Sequence, residues 1–191
     1  MGGAGSSWYE SDIERIVATP EQIADKTAEL AAQIAEDYRS VDELVLVCVL
    51  TGAFVFTADL ARELGRRGVP VQLEFMQASS YGQAATSSGV VRLRKDLDRD
   101  ISGAHVLVVE DIVDTGLTLS WLLKYLEGRS AASVEVVTLL RKPAASRSAP
   151  RLAYVGFDIP SEFVVGYGLD YAGKYREVPY VGVLKPQVYR R

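Results

Sequence analysis

Apolar positions along this chain follow two spacings. Residues 44–50, LVLVCVL, are apolar at every position and rich in β-branched side chains, the pattern of a strand covered on both faces. Residues 105–110 (HVLVVE) and 134–140 are also rich in apolar, β-branched side chains, and 69–77 shows a partial apolar–polar alternation, so each is predicted to be a strand. Elsewhere the spacing is helical: Ile23, Leu30, Ile34 and Tyr38 share one face, with alanines between. The first folded element predicted is therefore a helix over 20–38. Thr19 stands at its N-cap, Pro20 at its first position, and Gln22 three residues past the cap. Helices are also predicted over 54–67 and 116–127.

Strand, helix and strand in succession imply parallel pairing with right-handed crossovers. The predicted fold class is α/β, with a central, mostly parallel sheet flanked by helices. Residues 79–90, rich in Ser, Gly, Ala and Gln, read as a long loop, a candidate mobile lid in which Ser80 and Tyr81 could reach a ligand; plain disorder is the competing reading. RLRKDLDRDISG, 92–103, reads as a charged turn. Beyond residue 140, Gly156, Pro160, Gly166, Gly168, Gly173 and Pro179 punctuate short apolar pieces, which predicts strands and loops without a long helix.

Composition narrows the function classes. The 191 residues, 48% of them hydrophobic, suit one compact domain, expected over 13–191 behind a flexible tail at 1–12. A formal net charge of -4 argues against nucleic acid as a partner, because a sequence-independent grip on it needs clustered Lys and Arg. The single cysteine, Cys48, lies in an apolar run and reads as a buried core residue. Neither a secretory leader nor a membrane-length apolar run is present in the sequence, so no membrane association and a cytoplasmic location are expected.

Candidate chemistry concentrates in HVLVVEDIVDTGLTLS, 105–120, where an apolar strand runs into Glu110, Asp111 and Asp114 and then a Thr-Gly-x-Thr turn that opens a helix. Ligands in open α/β sheets bind beyond the carboxyl ends of strands, and the first turn of a helix offers unpaired N–H groups to an anion. Thr115 and Thr118 add hydroxyls, and Gly116 removes a side chain where backbone and phosphate must approach. Glu110 and Asp111 can accept hydrogen bonds from vicinal sugar hydroxyls, directly or through a hard cation such as Mg²⁺. Taken singly, these acids and threonines could equally be helix caps.

VLVVEDIVDTGLTL resembles the phosphoribosyl pyrophosphate motif of the type I phosphoribosyltransferases, and FVVGYGLDYAGKYREVPYVGVL, 163–184, resembles the C-terminal part of their hypoxanthine-guanine branch. With VLTG at 49–52 and SSYG at 79–82, the resemblance extends over nearly the whole folded chain. It implies the type I phosphoribosyltransferase fold, with a small hood made from the C-terminal segment and a mobile loop over the site. It implies an Mg²⁺-dependent transfer of phosphoribosyl to hypoxanthine or guanine in purine salvage, in a homodimer or homotetramer.

The resemblance assigns Glu110 and Asp111 to the ribose hydroxyls and the metal, and makes Asp114 the acid or base near the purine N7. It places the 5′-phosphate on Asp114, Thr115, Gly116, Leu117 and Thr118, with Ile112 and Val113 leading into that turn. The Leu50-Thr51-Gly52 turn matches the family's pyrophosphate loop, with a non-proline cis peptide before Thr51, and Arg176 matches its pyrophosphate-contacting arginine. Lys142 is implied as donor to the 6-oxo group, Phe163 as the stacking aromatic, Val164 as the backbone that reads the purine edge, and Asp170 as a further metal-side carboxylate of the purine site. Thr51, Leu117 and Ser146 stand where some relatives carry basic residues, which shifts those contacts toward backbone amides or, for the last, toward Arg147. Two other readings stay open: an enzyme preferring xanthine, and a regulatory protein of the same fold that senses phosphoribosyl pyrophosphate.

Overall fold

The computed structural model describes residues 7–80, 91–144 and 150–190. The chain runs through a 3-10 turn (Glu10–Asp12), β1 (Ile13–Ala18), α1 (Pro20–Asp37), β2 (Leu44–Val49), α2 (Phe54–Arg66), β3 (Val71–Ser80), β4 (Val91–Lys95) and β5 (His105–Val113). It continues through α3 (Leu117–Glu127), β6 (Ser133–Arg141), β7 (Tyr154–Asp158), β8 (Val164–Val165), β9 (Val181–Leu184) and α4 (Pro186–Tyr189).

The main sheet has the order β4-β3-β2-β5-β6-β7, parallel throughout except for the antiparallel edge strand β4. All six residues of β2 are buried, because helices cover both faces. Leu44, Leu46, Leu107 and Val109 share one core with α1 and α2 residues including Ile34, Phe56 and Leu60. Val45, Val47, Val106 and Val108 share the other with α3 residues Leu119, Leu122 and Leu126. The two-residue period of a strand thus feeds both cores, and each such side chain contributes roughly 1.5–3 kcal/mol through burial.

From β2 the chain moves outward to β3 by way of α2, and from β5 outward in the opposite direction to β6 by way of α3. A crevice therefore opens at the carboxyl ends of β2 and β5, the adjacent central strands at which the sheet order reverses. A second, antiparallel sheet, β1-β9-β8, forms a hood.

Several expectations need correction. The first regular strand is β1, which precedes α1 and makes the hood a joint product of both chain ends. Its burial does not alternate, and two register shifts against β9 break the period, so the sequence carries no strand signal there. Of the tail expected at 1–12, residues 7–12 are docked: the Trp8 ring lies 5.0 Å from that of Tyr175, and Asp12 accepts a 2.8 Å hydrogen bond from the Tyr175 hydroxyl. Residues 1–6 lie outside the described residues. The charged turn expected at 92–103 begins as β4, where half-buried Val91 and Leu93 alternate with exposed Arg92 and Arg94; the density of charge masks the alternation. Ser79 and Ser80, expected in the loop, close β3, and Ser80 pairs with Val91. Tyr81 and the rest of that loop, with Ser146 and Arg147, lie outside the described residues.

Candidate active site

The crevice between β2 and β5 is built from four pieces. The first is the acid pair. The sequence pattern puts Glu110 and Asp111 at a strand end, but β5 continues to Val113, because Ile112 and Val113 keep their pairing with Leu140 and Arg141 of β6. Both carboxyls are held with raised pKa values. Burial is the main cause for each; the neighbouring Asp111 charge adds to the rise at Glu110. Asp111 is pushed up to about 6, its burial being partly offset by backbone hydrogen bonds and by the Arg176 charge, while Asp170 opposes that relief.

The second piece is the mouth of α3. Gly116 caps this helix in the left-handed region, at φ +74°, with no side-chain cap bond, so the first-turn amides of Leu117, Thr118 and Leu119 have no intrahelical acceptor. Glu110, Ile112 and Val113 join the segment from Asp114 to Leu119 around a cavity of about 230 Å³. Its unpaired amides and helix dipole suit a phosphate. Leu117 lines this cavity and is 56% exposed.

The third piece is the turn after β2, where the Leu50–Thr51 peptide is cis, as the resemblance implied. Gly52 is pressed against the acid pair: a Cβ at this position would stand 1.6 Å from Asp111 Oδ2. Any side chain at this position would have to displace the Asp111 carboxylate. From the hood side, a Cβ on Gly168 (φ +101°) would stand 2.0 Å from the Gly52 carbonyl oxygen. Arg176 is aimed from the same side, its guanidinium donating to the Gly168 carbonyl at 2.6 Å and pairing with Asp170 at 2.6 Å. Asp170 also accepts from the Gly173 amide at 2.8 Å.

The fourth piece is the group of residues that the resemblance assigns to the purine. Lys142, 28 residues from Asp114 in sequence, brings its ammonium 3.0 Å from the Asp114 carboxylate. Its backbone amide donates to the Val113 carbonyl, which fixes the strand β6 exit against the β5 exit. Phe163 is 38% exposed, with its ring 4.9 Å from that of Tyr189 in a stacked arrangement and edge-on to Tyr171 at 5.8 Å. Val164 is buried in β8, paired with Val183 of β9.

Sequence reasoning did not single out Tyr189, Tyr167 or Gly168. The Gly-Tyr-Gly of 166–168 and the Lys-Pro opening of α4 at 185–186 were the available signals. Among the described residues, no three His, Cys, Asp or Glu side chains gather into a metal cage. Two half-buried carboxylates that resist ionisation nevertheless fit Mg²⁺, which takes few protein carboxylates and completes its shell with water and substrate oxygens.

The helix mouth, the acid pair and the glycine turn backed by an arginine meet at one sheet switch point, the place where open α/β folds bind their ligands. The family model for the phosphoribosyl transferase domain matches residues 14–172, and the chain belongs to that family. It is 52% identical over 193 residues to a hypoxanthine-guanine phosphoribosyltransferase of Mycobacterium tuberculosis, covering 98% of this chain and 94% of the relative. It is 44% identical to the Bacillus subtilis enzyme of the same name, over 93% of this chain and 97% of the relative. A Staphylococcus aureus hypoxanthine phosphoribosyltransferase structure superposes with a TM-score of 0.91 at 40% identity, covering 97% of this chain and 98% of that one. A Trypanosoma cruzi hypoxanthine phosphoribosyltransferase, solved with its product IMP, gives a TM-score of 0.87 at 47% identity, covering 93% and 97%.

Proposed function

We infer that this chain is a purine-salvage enzyme that transfers 5-phosphoribosyl from phosphoribosyl pyrophosphate to hypoxanthine or guanine, giving IMP or GMP and pyrophosphate. The observation that carries this reading is the Gly116-capped helix mouth, where Glu110 and the segment from Asp114 to Leu119 line one cavity, so that a sugar and its phosphate fall within the reach of a single ligand. The named relatives support it.

In the reaction the C1′–pyrophosphate bond breaks and a C1′–N9 bond forms through an oxocarbenium-like transition state, as in glycosyl transfer generally. The α3 amides with Thr115 and Thr118 hold the 5′-phosphate, while Glu110 and Asp111 hold the ribose hydroxyls. Arg176 and the Thr51–Gly52 backbone receive the departing pyrophosphate. Lys142 and Asp114 stand side by side as a donor and an acceptor 3.0 Å apart. A 6-oxopurine protonated at N7 presents the complementary acceptor and donor on one edge, and Asp114 takes the N7 proton as N9 attacks. Adenine would turn its amino group toward a cation, which selects against it. Phe163 stacks on the ring, and the Val164 backbone reads its far edge.

Mg²⁺ would be held by Glu110 and Asp111, with Asp170 placed to assist, and supplies charge compensation for pyrophosphate and acids alike. Among the described residues no helix is long and apolar enough to cross a membrane. The reading places the enzyme in the cytoplasm as a homodimer or homotetramer. Leu73 and Phe75, two residues apart on one face of β3, are 46% and 37% exposed, which supports burial against a second copy.

Initial rates of nucleotide formation from hypoxanthine, guanine, xanthine and adenine, with and without Mg²⁺, test the reading. Fast, Mg²⁺-dependent rates with the first two are expected. A highest rate with xanthine would reassign the base, and donor binding without turnover would indicate a regulatory protein.

A further inference from the structure

Tyr167 lies between two positive-φ glycines, Gly166 and Gly168, and itself adopts φ +50°, a left-handed conformation that a non-glycine residue takes up at a cost. Its ring is 8% exposed, and its hydroxyl donates to the Asp59 carboxylate on α2. Tyr167 belongs to the wall of a separate cleft of about 410 Å³ with Thr27, Arg62 and Pro179, so it does not face the phosphate cavity.

The next residue, Gly168, does face the active site. Its amide donates to the Arg176 carbonyl at 3.0 Å, and the Arg176 guanidinium donates back to the Gly168 carbonyl at 2.6 Å. Gly168 also sits directly on the Gly52 carbonyl, and Gly52 on Asp111. The turn containing Gly52 leads within two residues into α2, the helix that carries Asp59. Arg176 and the Thr51–Gly52 turn come from the hood and the main sheet respectively, and the Tyr167–Asp59 hydrogen bond joins these two bodies.

We propose that Tyr167 is a positioning residue for the pyrophosphate half of the site: its hydrogen bond to Asp59 clamps the Gly166–Gly168 turn onto the turn after β2, which registers Arg176 with the Thr51–Gly52 backbone. The inference rests on the assignment of those groups to pyrophosphate. Lys142 and Asp114, assigned to the 6-oxo and N7 edge of the purine, stand at the exits of β6 and β5, outside the clamp.

Steady-state kinetics of Tyr167→Phe, Asp59→Asn and Asp59→Ala test this. Tyr167→Phe keeps the ring and removes one hydroxyl bonded to a charged group, so the KM for phosphoribosyl pyrophosphate and the inhibition constant of pyrophosphate rise about tenfold. The KM for hypoxanthine stays within about twofold, because the clamp does not reach the purine side. Asp59→Asn retains an acceptor oxygen and behaves as wild type, Asp59→Ala reproduces Tyr167→Phe, and the double variant Tyr167→Phe/Asp59→Ala is no worse than either single. A wild type that forms nucleotide while Tyr167→Phe leaves the donor KM unmoved, or moves both KM values alike, overturns the clamp alone. A wild type that forms no nucleotide overturns the clamp and the functional reading together.

Discussion

Glu110 and Asp111 occupy places where an ionised carboxyl is disfavoured, which ties stability to activity at single residues. In the folded chain the Asp111 carboxyl is raised from 3.8 to about 6, chiefly by burial. Its stabilising contribution is therefore complete below about pH 4 and is lost as pH rises through about 6. At pH 7.5 the ionised Asp111 costs stability, as functional groups often do. Asp111→Asn is accordingly expected to raise Tm by about 2–4 °C at pH 7.5, with the gain shrinking toward pH 4, and to suppress turnover. Differential scanning calorimetry across that range checks this; a lower Tm at pH 7.5 would contradict it. On the purine side, Lys142→Ala should lower kcat/KM for hypoxanthine and guanine about 10- to 100-fold while the donor KM barely changes, and steady-state kinetics with both bases measures it. The acids and the Thr-Gly-x-Thr turn were legible because their chemistry lies within one short segment. Lys142 was legible only through the family resemblance, and its contact with Asp114 has no local signal, since the parallel β5–β6 pairing brings residues 28 apart to 3.0 Å.

Among the elements, the short turn from β5 into α3 decides how well phosphate is held. Gly116 stands at φ +74°, so Gly116→Ala imposes a left-handed conformation on an L residue at about 1–2 kcal/mol. A Tm lowered by about 2–8 °C is expected, together with a raised KM for phosphoribosyl pyrophosphate, because a shifted helix mouth misaims its amides. Unchanged Tm and KM would show that the turn tolerates a side chain. The apolar, β-branched strands β2, β5 and β6 were readable from sequence, as was α1, whose capping box forms as expected with Thr19 and Gln22 bonded in both directions. β1 and β4 were not. One is broken by register shifts, and the other carries an arginine at every outward position.

For the whole molecule, the two chain ends meet over the crevice. β1 pairs with β9, the Lys185 amide donates to the Asp12 carbonyl at 2.9 Å, and Tyr189 stacks behind Phe163. This long-range closure has no local signature, which is why the hood was legible only as a C-terminal feature. The alternating pattern implied a parallel sheet with ligands beyond its strand ends, whereas the order that places β2 beside β5 is a product of the three-dimensional fold. The exposed Leu73 and Phe75 predict that light scattering gives a mass of two or four chains of 20.8 kDa, and that Leu73→Lys shifts the population toward monomer. A wild-type monomer would contradict the assembly and leave the site geometry untouched.

Whether one ligand spans the acid pair and the α3 mouth is decided by a crystal soaked with IMP. The 5′-phosphate is expected on the amides of the Asp114–Thr118 turn, the ribose hydroxyls at Glu110 and Asp111, and the purine between Lys142 and Phe163. A nucleotide ordered elsewhere, with that turn free of phosphate, would refute the assignment of the site.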